Sequence, residues 1–433
     1  MQLSEDQIFA LAPDEASKKA GKDLSTANKW VSKGMNEQAI WGECQGSGSK
    51  PYQTQIDIAS LTFKCSCPSR KFPCKHGLGL LLFHAKQQGS FTEKIAPQWV
   101  ADWLAKRSER AEKKTEQKDK PVDEAAQTKR LQAREQLIDE GIEDLLLWMK
   151  DIVRNGILSI PENGTLIFDE LAKRMVDAKA AGLANMLKGL SNINYYKEGW
   201  QHVFMQQLCN IYIIISGYKQ KNKLNEAILE DVKKSIGFTQ NQESLKQLSG
   251  IEDNWFVLGK QLTEEDSVTI EHNWLYGIVS KKYALVLQFS VRGQGINFSL
   301  TPGKVINSEL VFFPSVSPLR AIIKNHALIN NASLIDGYSN WLDVSQELAT
   351  IHSTLPVQGS LPFIINQVSP VFYNNQWWLK DINNNLVQLP DGYAQLYNLL
   401  AITGGKPFNM AVIAKQHIFT PIGAWVNQQY ISI

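Results

Sequence analysis

The sequence predicts a multidomain α+β protein with a small ββα unit near the start, a helical middle and a β-rich end. Three observations predict it. Four Cys and His residues crowd into positions 65–76. A charge-dominated stretch from Lys106 to Arg134 interrupts the apolar pattern. Near Trp255 the apolar spacing then changes from helical to strand-like. At 433 residues the chain exceeds one ordinary core, so several domains are expected.

Each element has its own signal. Residues 4–35 read as short helices. Ser4 and Gln7 are spaced as a capping box, and Asp14 opens a second helix. Trp30 and Val31 read as core. Ile40 to Cys44 reads as a strand, Gly46 to Pro51 as a turn, and Tyr52 to Ile58 alternates like a half-buried strand. Leu78 to Ala85 is apolar enough for a short buried helix. Trp41, Phe63, Leu78, Leu81 and Leu82 are the expected core of this unit. A further amphipathic helix starts at Pro97 and carries Trp99 and Trp103. Residues 1–104 are therefore taken as an N-terminal domain and 105–134 as a charged linker, since Lys106 to Pro121 holds almost no apolar residue.

Residues 135–250 read as a helical domain. Leu137, Ile138, Ile142, Leu145, Leu146, Met149, Ile152 and Val153 recur at helix spacing. Val203, Phe204, Leu208, Ile211 and Tyr212 form another such face, on which Cys209 reads as an inert core thiol. Residues 251–433 read as a β-rich α+β region with a small barrel or sandwich. Ala284 to Val291 is its clearest strand, and helical pieces fall at 335–348 and 393–400.

The chemistry sits in Cys65-Ser66-Cys67 and Cys74-Lys75-His76. Three thiols and an imidazole complete the tetrahedron of one structural zinc and leave no position for a reactive water. Side chains at i and i+2 of an extended segment point the same way, so Cys65 and Cys67 grip the metal from one strand end. Pro68 and Pro73 break regular structure between the pairs. His76 is expected in the first turn of the following helix. His84 and Cys44 are expected not to be ligands. Between Ile58 and Thr92 there is no Asp or Glu, whereas Lys64, Arg70, Lys71 and Lys75 surround the ligands. These four are the candidate contacts to nucleic acid or a partner. They also suit a second role, balancing a zinc site whose three thiolates leave it net negative.

This Cys-x-Cys, six residues, Cys-x-His pattern resembles the SWIM zinc finger, complete at Cys65, Cys67, Cys74 and His76. The upstream run from Ile40 to Gly48 resembles the bacterial branch that carries the finger near its N-terminus. The resemblance is specific over about residues 30–90. It implies a zinc-stapled ββα finger domain (about 38–90), contact with DNA or proteins, and no activity of the finger itself. It also implies MoxR-like AAA ATPases or von Willebrand A-type proteins as partners.

Other chemistry is not legible. There is no phosphate-binding loop, no Gly-x-Ser-x-Gly elbow and no His-Glu-x-x-His. Lys and Arg (45) nearly balance Asp and Glu (43), so any basic footprint must be local. No signal peptide and no membrane-length apolar run are read, and unpaired thiols with a zinc site suit the cytoplasm. The expected function is a non-enzymatic binding or scaffold module. The alternative is an enzyme, or a regulator of an AAA-type ATPase, with its site in the C-terminal region. Trp377-Trp378 is read as packing, with a ligand role held in reserve.

Overall fold

The computed structural model describes residues 3–433 except positions 10, 47, 49, 70, 92–94, 117–123, 159, 164–165, 241, 266–267, 292–297, 330–334 and 416–417. The chain begins with α1 (Glu5–Phe9) and α2 (Glu15–Asp23). Ser4 and Gln7 cap α1 reciprocally: each backbone N–H donates to the other's side chain, at 3.1 and 3.2 Å. Asp14 caps α2, its carboxylate accepting from Ser17 N at 2.7 Å.

An antiparallel meander follows, β1 (Trp30–Met35), β2 (Ala39–Cys44), β3 (Tyr52–Asp57) and β4 (Thr62–Cys65), with α3 (Lys75–Lys86) packed on one face. The hairpin read from the sequence is thus the middle of a four-stranded sheet. Trp30 to Met35 is strand, not helix, because its backbone pairs with β2 from Trp30↔Cys44 to Met35↔Ile40. Strand alternation buries Trp30 and leaves Val31 65% exposed, so Val31 is not core. Trp41, Phe63, Leu78, Leu81 and Leu82 are all buried. Gly21 and Gly79 let α2 and α3 approach closely. A Cβ on Gly79 would lie 2.7 Å from Leu24 Cβ and 3.2 Å from the Gly21 carbonyl.

The charged stretch is helical at both ends. Helix α4 (Gln98–Glu116) runs into it and α5 (Glu124–Asn155) begins within it, while 117–123 lies outside the described residues. Val100 of α4 packs with Trp41. Arg107 of α4 ties down the β3–β4 turn, donating to Ser60 Oγ at 3.2 Å and lying 3.6 Å from Asp57.

Helix α5 then packs with α6 (Ile160–Asn163), α7 (Leu166–Asp177), α8 (Ala181–Ser191), α9 (Trp200–Lys219) and α10 (Glu226–Ile236); α11 (Gln242–Leu245) follows. Their shared core includes Ile138, Ile142, Leu145, Phe168, Leu187, Phe204, Leu208 and Ile211. Five placements fail here. Cys209 is exposed, and so are Val203 and Tyr212. Helix α9 is apolar on more than one side, and the side carrying Phe204, Leu208, Ile211 and Ile215 turns inward. Leu137 and Val153 of α5 are exposed as well.

The remainder is β-rich. Strands β5 (Ile251–Glu265), β6 (Val268–Gly277), β7 (Tyr283–Val291), β8 (Val305–Phe312) and β9 (Arg320–Ile329) close into a barrel in the order β5-β6-β7-β9-β8. All neighbours are antiparallel except β7 and β9. After α12 (Trp341–Thr354) come β10 (Leu361–Tyr373), β11 (Gln376–Lys380), β12 (Leu386–Gln388), α13 (Leu396–Thr403), β13 (Phe408–Lys415), β14 (Ile418–Val426) and β15 (Gln429–Ser432). They form a sheet ordered β12-β11-β10-β13-β14-β15, and β12 also meets β14 through Gln388↔Ile418. No helix among the described residues is long and apolar enough to cross a membrane.

Candidate metal centre

Two elements deliver the four donors. Strand β4 ends at Cys65, whose pairing with Thr54 fixes that end against β3. Cys74 is the N-cap residue of α3, and His76 lies in that helix's first turn. The chain between them carries Cys67 and reverses direction. Gly77 lets the helix start beside the strand, since a Cβ there would sit 2.9 Å from the Phe63 ring.

The sulfurs of Cys65, Cys67 and Cys74 and a ring nitrogen of His76 all lie within 4.8 Å of one another. Cys65 Sγ is 3.7 Å and Cys74 Sγ 4.0 Å from His76 Nδ1. In a zinc tetrahedron with ordinary bond lengths, the sulfur-to-nitrogen edge is about 3.6 Å. The four donors therefore fit one zinc. Cys74 and His76 are buried, and Cys65 and Cys67 half-buried. The His76 ring also lies 4.9 Å from that of Tyr52.

The electrostatics call for a cation. The Cys65 and Cys74 thiols hydrogen-bond the Cys67 sulfur and hold its ionisation far below the usual thiol range. The same proximity to Cys65 and Cys67 pushes Cys74 far up. Three thiolates this close would repel one another, and a dication between them would let the set ionise together. Neighbouring groups help. Thr54, fully buried, lies with Oγ1 3.2 Å from Cys65 Sγ, and the backbone N–H groups of Cys67 and Ser69 point at the Cys65 and Cys67 sulfurs. The sequence reading missed Thr54. Its only signal was its place on β3, opposite Cys65.

Cys44 and His84 lie outside the cluster. Cys44 is buried in the core, its thiol 3.9 Å from the Gln45 carbonyl, and burial pushes its ionisation up. His84 is buried edge-on to Phe91, with ring centroids 5.2 Å apart, and burial lowers its ionisation.

The basic candidates separate. Lys64 and Lys75 are exposed beside the ligands. Lys71 is exposed too, but its ammonium lies 2.5 Å from the Asp14 carboxylate, which also caps α2. Hydrogen bonding from Lys71 holds the Asp14 carboxyl below the ordinary carboxylate range. Lys71 therefore ties the loop between the ligand pairs to α2. Arg70 lies outside the described residues.

Comparison with known proteins bears on two segments. Residues 52–85 match the SWIM zinc finger, and residues 133–236 match the SWIM-associated four-helix bundle domain. No curated protein and no solved structure matches the chain. The chain carries a SWIM zinc finger with one structural zinc site of the Cys-x-Cys, six residues, Cys-x-His type, followed by a SWIM-associated helical domain.

Proposed function

We propose that this chain is a non-enzymatic binding or scaffold module, with the zinc holding the finger in shape and the finger's basic rim making contact. One observation carries the reading: four protein donors lie within 4.8 Å of one another and two of them are buried, so they would fill the tetrahedron of a bound zinc and leave it no open position for substrate or water. Lys64 and Lys75 flank it on a stretch without acids. The contact chemistry is a nucleic-acid phosphate or an acidic patch on a protein partner. The protein candidates implied by the finger's bacterial relatives are a MoxR-like AAA ATPase or a von Willebrand A-type protein.

The test uses the full chain and the combined variant Lys64→Gln, Arg70→Gln, Lys75→Gln. Pull-downs from the native lysate, with and without nuclease, would be paired with zinc-affinity measurements. The proposal expects the variant to keep its zinc and lose its partner. Lost zinc affinity with an unchanged partner set would assign these cations to charge balance at the metal and overturn the contact reading.

A further inference from the structure

The two C-terminal β units share one topology. In the first barrel the strands run 1-2-3-5-4, strand 1 pairs with strand 4 along its first half and strand 2 along its second, and strands 3 and 5 are parallel. Counting β10 to β14 as 1 to 5, the second unit repeats all of this. Strand β10 pairs with β13 from Leu361 to Val368 and with β11 from Ser369 to Tyr373, and β12 meets β14 in parallel. Helix α13 lies between its strands 3 and 4. This is the five-stranded Greek-key arrangement of the oligonucleotide-binding barrel, whose strand 2–3 face and strand 1–2 loop take up ligand.

In the first barrel, part of that face is covered. Trp274 and Tyr276 of strand 2, with Tyr283 and Leu285 of strand 3, join a cluster with Ile364, Ala411, Ile422 and Trp425 of the second. In the second unit the strand 1–2 hairpin is open and aromatic. Its tip is Asn374-Asn375, both at positive φ as a tight two-residue hairpin turn requires. On either side stand Phe372, Tyr373, Trp377 and Trp378, four aromatics in seven residues. Phe372 is 59% and Tyr373 57% exposed. The Phe372 and Trp377 rings meet at 5.3 Å on the side toward Leu379 and the core. Trp378 is on the opposite side, opposite Val371 and Gln388, its indole N–H held by the Tyr373 carbonyl at 3.0 Å. Lys380 shares that side.

We propose that this hairpin binds single-stranded nucleic acid by stacking bases on its aromatic rings. Flat rings held at fixed angles suit bases, which stack without regard to sequence. Charge here is near balance, so stacking carries the proposal: from Ala349 to Ile433 the acids are Asp381 and Asp391 and the cations are Lys380, Lys406 and Lys415. Asp381 is buried in backbone hydrogen bonds, and Asp391 takes a 3.4 Å bond from Gln376. This site is separate from the finger and stands without the reading above.

The experiment titrates the full chain into a fluorescein-labelled single strand of about 15 nucleotides, near the upper end of the site size of such a barrel. DNA and RNA arms identify the sugar, and a duplex arm tests strandedness. The wild type binds a single strand, and the duplex at least about tenfold more weakly. Phe372→Ala and Tyr373→Ala, both at exposed positions, each weaken binding by about fivefold or more, and Trp378→Ala by about tenfold, on the scale of one stacked base. Thermal melts confirm that each variant is folded. Absence of single-strand binding overturns the proposal, as does equal duplex binding or wild-type affinity in both exposed variants. Binding abolished only by the finger variant would place nucleic acid at the finger and also overturn it.

Discussion

Replacing Thr54 with Val removes the hydroxyl nearest the metal ligands and almost nothing else. Thr54 is fully buried, Val matches its shape, and its strand pairing opposite Cys65 is made by backbone groups. What is lost is the 3.2 Å contact from Oγ1 to Cys65 Sγ. With zinc bound the sulfur is a thiolate, and a hydrogen bond to a charged acceptor contributes about 1.5–3 kcal/mol. Without zinc the sulfur is a thiol, because its Cys67 neighbour and burial push the Cys65 ionisation up. The hydroxyl is then worth about 1 kcal/mol or less. The difference falls on zinc binding, so Thr54→Val should weaken zinc by roughly tenfold, within the range usual for such outer groups. Competition with a chromophoric chelator at fixed pH measures it, and stoichiometry stays at one zinc. Unchanged affinity in a folded Thr54→Val protein would refute the assignment of Thr54 as the thiolate's donor.

Three further outcomes are expected. Chelation of zinc should unfold the sheet and α3 of the finger while the bundle built on α5 to α10 stays folded, because the finger core is small and separate; hydrogen exchange reads both, and retained protection in β4 and α3 would count against zinc as the staple. Gly79→Val should destabilise the N-terminal domain by about 1–3 kcal/mol, since its Cβ already meets Leu24 at 2.7 Å; a thermal melt like the wild type's would show that α2 and α3 can separate at no cost. Asp381→Ala should cost about 3 kcal/mol by removing the acceptor for Trp341, Asn383 and Asn385 N–H groups. Burial raises the Asp381 carboxyl, yet those donors outweigh it and hold the group below its ordinary value. Its contribution is therefore present at neutral pH and lost as pH falls through the folded value, and a wild-type acid-unfolding curve in the variant would contradict this.

The finger was legible because its signals are local. Ligand spacing, the prolines between the pairs and the apolar run after His76 each act within a few residues, and the Ser4–Gln7 box was readable for the same reason. Strand β1 was missed because Trp30 and Val31 are not confined to strands, and only pairing with β2 settles them. Cys209 was misplaced because α9 has apolar residues on opposite sides, and periodicity cannot say which side the bundle covers. Asp14 as the partner of Lys71 is invisible to composition, since the two are 57 positions apart and meet only through the α2–α3 packing. The repeated barrel order was out of reach for a similar reason. A closing pair such as Gln388↔Ile418 leaves no mark on the strands it joins.

The most direct test of the account is zinc analysis combined with X-ray absorption on the full chain purified in reducing buffer. The account predicts one zinc per chain, with three sulfurs at about 2.3 Å and one nitrogen at about 2.0–2.1 Å. A Cys74→Ser protein should lose that occupancy. A zinc-free protein, a shell with an oxygen or open position, or full occupancy in Cys74→Ser would contradict it.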